Sequence, residues 1–286
     1  MAILVFLTLR IIPGDPVELM LGESALPAQR EQLKEKLGIH KPFSGQFIDY
    51  LKILSKFELG RSLTQDKPVH KLVFEHYPYT FLLAVCAVVF AAALSIPAGI
   101  WCAYKPSSFF STICFFVSVV FLSLPTFWLG PLLIVVFSLR WPWLPLSSFK
   151  DWTGLILPTL TLGVGMWAVL VRTISIAATE CMRAEYINTA RAKGASELRV
   201  LFIHVFPNTL IPILTIIGLQ LGHLLGGAVI TEAIFNWPGI GTLAYEAILQ
   251  RDYNTVQGVV LVIALSYVLI NLFTDLINRK LTPLES

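Results

Sequence analysis

Charged residues are scarce in this sequence of 286 residues. Asp, Glu, Lys and Arg make up 14% of the chain and hydrophobic residues make up 56%, whereas about a quarter of an ordinary soluble domain is charged. The net charge of +3 gives no support to a strongly basic, nucleic-acid-binding surface. This composition excludes a disordered or collagen-like chain and indicates a membrane protein without a nucleic-acid partner.

Several site signatures are also missing. The four cysteines form no CxxC pair, so neither a zinc site nor a disulfide framework is indicated. No G-x-x-x-x-G-K-[ST] phosphate loop, H-E-x-x-H zinc motif or G-x-S-x-G nucleophile motif occurs in the chain. The sequence therefore predicts that the chain is not an enzyme and binds neither a cofactor nor a metal.

Long apolar runs are what the sequence does contain. Five of them exceed the roughly 18 residues that indicate a membrane-spanning helix, and we place spans at about 79–104, 109–139, 153–179, 205–231 and 254–278. A shorter run over residues 1–12 ends at Pro13-Gly14-Asp15-Pro16. We interpret it as a first span whose beginning is missing, so the predicted fold is an all-α polytopic membrane protein with six transmembrane helices.

Residues 13–78 are polar enough for a small domain outside the membrane. Apolar residues recur at helical spacing over 29–37 and 46–57, which predicts two amphipathic helices. Basic residues in short connections mark the cytoplasmic side, which places both termini in the cytoplasm and residues 13–78 outside. On the cytoplasmic side we count Lys105, Arg172, Arg183, Arg191, Lys193, Arg199, Arg279 and Lys280, against Arg140, Lys150 and Arg251 on the other side.

The connection between the fourth and fifth spans, residues 183–208, predicts a short capped helix. Glu185 suits a helix N-terminus, Arg191 falls in the last turn, and Gly194 can adopt the left-handed cap. Ser196 can then cap a second helix. On local chemistry alone, an ordinary capped cytoplasmic hairpin is the favoured explanation of this segment, ahead of a functional one.

Residues 185–196, which read EYINTARAKGAS, and the later Phe206-Pro207-Asn208 resemble the EAA loop of binding-protein-dependent ABC importers. The resemblance is to the permease subunits of the dipeptide, oligopeptide and nickel group. It extends along the chain through the segments LRIIPGDP at 9–16, LGRSL at 59–63, GLQLG at 218–222 and NWPGIG at 236–241. The fold that it implies is that of a type I ABC importer permease.

The resemblance also implies partners and a site. This subunit would pair with a similar second permease, two cytoplasmic ATPases that bind ATP and Mg, and an extracytoplasmic binding protein, in the inner membrane of a bacterium. The EAA loop would couple ATP hydrolysis to transport by docking on an ATPase. Its positions in this sequence are Glu185, Tyr186, Ala190, Arg191, Gly194 and Pro207.

Small residues recur along the predicted fifth span at Gly218, Gly222 and Gly226. Such a stripe lets two helices approach closely, either within this subunit or against the partner permease near the translocation path. His223 lies on the same span, and an intramembrane histidine is a candidate functional residue. A single hydrogen bond to a carbonyl group would explain it equally well.

The predicted cargo is a di- or oligopeptide. Nickel chelates and glutathione-like molecules are the alternative, because selectivity in this group resides largely in the binding protein. An ion-coupled secondary transporter is a more distant alternative, since such proteins usually carry charged residues inside their spans. No Asp, Glu, Lys or Arg occurs in the central apolar runs of the predicted spans, at 79–104, 109–139, 153–171, 205–231 and 254–274. A membrane hydrolase would need a nucleophile paired with a base, or a metal cluster. His223 has no partner carboxylate in its predicted span, and neither hydrolase motif occurs, so the sequence does not favour this class.

Overall fold

The computed structural model describes residues 27–28, 31, 42–55, 58–145 and 151–281. These residues are mostly helical and include no β-strand, only an isolated bridge between Arg61 and Pro68. The predicted span over residues 1–12 lies outside the described residues. The predicted helix over 29–37 also lies outside the described residues, except for residue 31. The residues after Leu281 lie outside them as well.

Ten α-helices of seven or more residues are described, and a single turn at Glu197–Arg199 and shorter 3-10 and π-helical segments adjoin some of them. In chain order they are α1 Phe43–Ser55, α2 Val69–Tyr104, α3 Phe109–Ser123, α4 Thr126–Ile134, α5 Ile156–Met182, α6 Glu185–Ala192, α7 Phe206–Gly227, α8 Val229–Phe235, α9 Ile240–Leu249 and α10 Tyr253–Leu281. A 3-10 turn at Trp152–Leu155 precedes α5, and π-helical segments occupy Val135–Arg140 and Val200–Val205.

Four of these elements, within the described residues, are long and apolar enough to cross a membrane. They contain α2, α5, α7 and α10. Only 22% to 50% of their most apolar windows is buried inside the chain, which is the arrangement expected when lipid covers the remainder. The α2 helix begins at Val69, ten residues before the predicted span at 79.

The predicted span over residues 109–139 is not one helix. It consists of α3 and α4, which bend by 103° at a short break and form either one broken span or a re-entrant loop. Leu124 is extended at φ −87° and ψ 120°, because it precedes Pro125 and proline disfavours the helical conformation of the residue before it. Pro125 also lacks an amide hydrogen for a helical hydrogen bond.

The chain divides into two compact units. The first consists of residues up to Pro78 together with Pro238–Leu265. Its apolar core contains Val69, Leu72, Val73, Ile240, Leu243, Ala244 and Val259.

A buried carboxylate stabilises a polar corner of the first unit. Asp252 accepts hydrogen bonds from the hydroxyls of Ser62, Thr64 and Thr255 and from the Thr255 backbone amide. Since these donors satisfy the carboxylate, the loop that holds Ser62 is fixed to the turn before α10.

The second unit consists of Tyr79–Trp237 and Ser266–Ser286. Its core joins α2, α5, α7 and the polar connection, because Ile187, Val200, Leu201 and Val205 belong to the same apolar cluster as Leu170 and Ile174 of α5. Gly99 and Gly163 allow close approach of the helices in this core. A Cβ atom at Gly99 would lie 2.7 Å from Ile174, and one at Gly163 would lie 2.6 Å from Phe90.

Candidate functional site

The connection between α5 and α7 contains a short surface helix, α6. Ala184 precedes it in an extended conformation, Glu185 occupies its first turn and Arg191 its last turn. Gly194 follows at φ +84°, and the Ala195 amide donates to the Ala190 carbonyl at 3.1 Å. The predicted helix and its left-handed glycine cap are therefore confirmed in place.

Three kinds of contact hold α6 against the rest of its unit. Ile187 is fully buried in the apolar core. Arg191 forms two hydrogen bonds to Glu197, from Nε to Oε1 at 2.9 Å and from Nη2 to Oε2 at 3.2 Å. The Ser196 side chain caps the next turn by accepting from the Arg199 amide, so the sequence prediction for Ser196 is confirmed.

Tyr186 provides the third contact, through its hydroxyl. The Cys181 Sγ lies 2.8 Å from this hydroxyl, and the Asn208 Nδ2 donates to it at 3.3 Å. Burial, followed by the hydrogen bond with Cys181, raises the pKa of Tyr186 to about 12. The hydroxyl thus stays protonated around neutral pH and remains both a donor and an acceptor.

The structure brings five of the six predicted coupling residues into one surface element. Glu185, Tyr186 and Gly194 are exposed, and Ala190 and Arg191 are half-buried. The side chains of Tyr186 and Arg191 also form hydrogen bonds to other parts of the same chain. Pro207 lies at the exposed beginning of α7. Asn188, Thr189 and Lys193 add further exposed positions to this helix and its cap.

The glycine stripe on α7 meets α10 of the same unit. A Cβ atom at Gly222 would lie 2.8 Å from the Tyr267 ring, and one at Gly218 would collide with the Thr274 side chain. Gly226 is exposed. Of the two kinds of packing that the stripe allows, the contacts of Gly218 and Gly222 favour packing within this chain.

His223 is exposed on α7. Among the described residues, no group of three or more His, Cys, Asp and Glu side chains could hold a metal ion. Within the described residues, His223 therefore has no neighbouring side chains with which to share a metal ion.

Glu232 is a buried residue that the sequence analysis missed. It lies one position beyond the predicted end of the fifth span, is 0% exposed, and accepts a hydrogen bond from the Thr80 hydroxyl at 2.6 Å. The backbone amide of Trp237 donates to its carbonyl at 2.8 Å. The available signal was a carboxylate directly after an apolar run, one position outside the predicted span.

Trp237 itself is buried at 5% exposure, and its Nε1 donates to the Tyr79 carbonyl at 3.0 Å. The two residues also form an edge-to-face ring pair with centroids 6.2 Å apart. These contacts and the Thr80–Glu232 hydrogen bond join the beginning of the apolar run in α2 to α8 and the turn after it.

Comparison with known proteins identifies a family along the chain. Residues 95–284 match the family described as "Binding-protein-dependent transport system inner membrane component". Residues 1–84 match its companion, "Binding-prot-dependent transport system membrane comp, N-term".

Curated relatives cover nearly the whole chain. The chain is 37% identical to the dipeptide transport system permease protein DppB of Alkalihalophilus pseudofirmus, over 99% of this chain and 93% of that protein. It is 38% identical to the di/tripeptide permease DppB of Pseudomonas aeruginosa, over 98% and 92% of the two chains. It is also 38% identical to the glutathione permease GsiC of Pectobacterium atrosepticum, again over 98% and 92%.

A solved structure supports the fold. Inward-facing MetNI, a methionine ABC transporter, superposes with a TM-score of 0.63 at 18% identity, covering 75% of this chain and 98% of that one. The described chain is thus mostly helical, with apolar helices in the arrangement of an ABC importer permease. With the family match over most of its length, the chain belongs to the inner membrane components of binding-protein-dependent transport systems.

Proposed function

We propose that this chain is one of two permease subunits that form the translocation path of an ABC importer, and that α6 is its coupling helix. The observation that carries the proposal is the position of α6. It is a surface helix anchored to a membrane-helix core through Ile187, while Glu185 and the Gly194 cap stay exposed. A rigid element of this kind can pass a displacement to the helices that it contacts.

The exposed residues of α6 and its cap form the proposed ATPase-binding surface. Glu185, Asn188, Thr189, Lys193 and Gly194 belong to it, together with the exposed ring of Tyr186. ATP and Mg bind to two separate ATPase subunits, because this chain has no phosphate loop. Closure of the ATPases would press on α6 and shift the permease between inward-open and outward-open states.

The membrane arrangement in this proposal has six spans, with both termini in the cytoplasm and the domain of residues 13–78 outside. The excess of Lys and Arg in the connections on one side supports this orientation.

An apolar groove of about 620 Å³ lies between α7 and α10 and is lined by residues such as Ile217, Leu221 and Leu269. We assign it to packing against the second permease subunit.

Peptides are the proposed cargo. The three curated relatives described above are named as permeases for dipeptides, di- and tripeptides, and glutathione, all of which contain amide bonds. Nickel chelates and glutathione-like molecules remain the alternative, and the absence of a His/Cys/Asp/Glu cluster among the described residues gives a bare metal ion no support.

The first experiment is purification of the tagged chain from its native membrane in a mild detergent, followed by mass spectrometry. We expect a second permease and ATPase subunits to copurify. Reconstituted with an extracytoplasmic binding protein, the complex should take up dipeptide when ATP is supplied, and an ionophore should have no effect. Uptake that needs an ion gradient and no ATPase would instead establish an ion-coupled transporter.

Charge changes on the proposed surface test α6 directly. Glu185→Lys and Gly194→Asp should abolish ATP-dependent uptake while the chain still inserts, because both change the exposed face and leave the spans intact. Glu246→Lys, a charge reversal at an exposed position of α9, is the matched control and should transport normally. Normal uptake by stably inserted Glu185→Lys protein would contradict the coupling assignment.

A further inference from the structure

A closed set of hydrogen bonds surrounds the Tyr186 hydroxyl. Asn208 Nδ2 donates to this hydroxyl at 3.3 Å and to the His204 carbonyl at 2.6 Å. Cys181 Sγ lies 2.8 Å from the hydroxyl and 3.7 Å from the same carbonyl. We refer to Cys181, Tyr186, Asn208 and the His204 carbonyl as the tyrosine clasp.

The donors and acceptors of the clasp satisfy one another. Because the Asn208 amide donates to the tyrosine oxygen, the tyrosine hydrogen is available to the Cys181 sulfur, and the thiol hydrogen can point to the His204 carbonyl. Hydrogen bonds in such a chain polarise and strengthen one another. The clasp therefore loses more than one contact when the tyrosine hydroxyl is removed.

The clasp joins three segments of the second unit. Cys181 lies in the last turn of α5, Tyr186 in the first turn of α6, and Asn208 in the first turn of α7. His204 belongs to the π-helical segment that leads into α7. One side chain of α6 thus contacts the ends of both membrane helices that flank the connection.

From this geometry we propose that Tyr186 is a positioning residue that transmits movement of α6 to α5 and α7 together, rather than a residue whose hydroxyl binds the ATPase. This inference rests on the proposed role of α6 as a coupling helix. It changes the role that the sequence resemblance gives to Tyr186, since the hydroxyl points into its own chain. Tyr186 is 46% exposed, so an ATPase can still contact the ring and the exposed positions around it without using the hydroxyl.

The test is Tyr186→Phe in the complete importer, reconstituted in liposomes with its second permease, ATPases and binding protein. The ring is kept and only the hydroxyl is lost. We expect the ATPases to copurify as with the wild type and ATP hydrolysis to continue. Dipeptide transported per ATP hydrolysed should fall by about 2- to 30-fold, the range that corresponds to typical coupling free energies.

Partner substitutions make the test specific. Cys181→Ser replaces the thiol with a hydroxyl that can still form a hydrogen bond with Tyr186, so this variant should retain the wild-type transport ratio. Cys181→Ala removes the partner and should lower the ratio. Asn208→Leu combined with Tyr186→Phe should lower the ratio no further than the stronger single variant, because both remove the same network. Tyr245→Phe, on the exposed surface of α9, is the matched control for loss of a tyrosine hydroxyl and should transport normally.

Each alternative result has a distinct meaning. An unchanged transport ratio in assembled Tyr186→Phe importer would overturn the clasp, and so would loss of the ATPases from that variant, since the residue would then be a docking contact. If the wild-type chain itself recruits no ATPase and shows no ATP-dependent uptake, the proposed function is wrong, and the clasp proposal is rejected with it.

Discussion

Gly194 follows α6 in the left-handed backbone conformation, which is unfavourable for residues that have a Cβ atom. Its φ is +84°, and no atom lies within 4 Å of the position where a Cβ would be. An added Cβ atom at this position would therefore meet no steric clash with neighbouring residues. The requirement for glycine comes from the backbone conformation alone. Gly165, inside α5, also has nothing within 4 Å, and its φ lies outside the left-handed range.

This pair separates conformation from crowding. Gly194→Ala should destabilise the chain by about 1–2 kcal/mol, the usual penalty for an L-residue in the left-handed region. Gly165→Ala should be neutral or stabilise by up to about 0.5–1 kcal/mol, because alanine favours a helix interior over glycine. Thermal unfolding of the two variants in the same detergent measures the difference, and equal stabilities would contradict the backbone argument.

The hydrogen bond between Thr80 and Glu232 is fully buried, so its loss should be costly. Thr80→Val leaves the carboxylate without this donor and should destabilise the chain by about 1–3 kcal/mol, whereas Thr80→Ser should restore most of the loss. Thr112→Val is the control, because Thr112 donates only to the Ser108 carbonyl at an exposed site. Similar thermal midpoints for Thr80→Val and Thr112→Val would show that the buried bond contributes little.

At the scale of the element, the contact between α7 and α10 depends on glycines. Gly222→Ala should lower the yield of monodisperse protein and its thermal midpoint, because the new Cβ would lie 2.8 Å from the Tyr267 ring. Gly226→Ala, one helical turn away and exposed, should leave both unchanged. If Gly222→Ala behaves like Gly226→Ala, then α10 does not pack closely here.

Local chemistry explains which elements the sequence predicted well. The beginning of α6 at Glu185, its glycine cap and the Ser196 cap depend on neighbours within a few residues, and each is confirmed. The bend after α3 also has a local cause in Pro125, although the length of the apolar run suggested one continuous span. Proline within a span is compatible with both outcomes, so the sequence did not decide between them.

Contacts between distant residues were not predictable in the same way. The binding of Tyr186 to Asn208 joins positions 22 residues apart, and Glu232 meets Thr80 across 152 residues. No spacing pattern encodes these pairs. The resemblance to the EAA loop identified the residues of the predicted coupling segment. The contacts of each side chain could be determined only from the three-dimensional structure.

At the scale of the whole molecule, the bend between α3 and α4 makes topology testable. In a chain with its native cysteines replaced, Trp143→Cys should react with a membrane-impermeant maleimide added outside the cell, and Lys193→Cys should react only after the membrane is opened. Both positions are exposed in the structure. Labelling of Trp143→Cys only from the cytoplasmic side would show that α3 and α4 form a re-entrant loop.

The π-helical segment at Val200–Val205 makes the chain sensitive to its own residue count. The Phe206 amide donates to the Leu201 carbonyl, five residues earlier, so each hydrogen bond of this segment spans one residue more than in the α-helix that follows. Deleting one residue here would turn α7 by about 100° relative to α6. Gly218 and Gly222 would then leave the α10 side chains that they meet. Relatives in which these α7 glycines contact α10 should therefore show substitutions in this segment but no insertions or deletions.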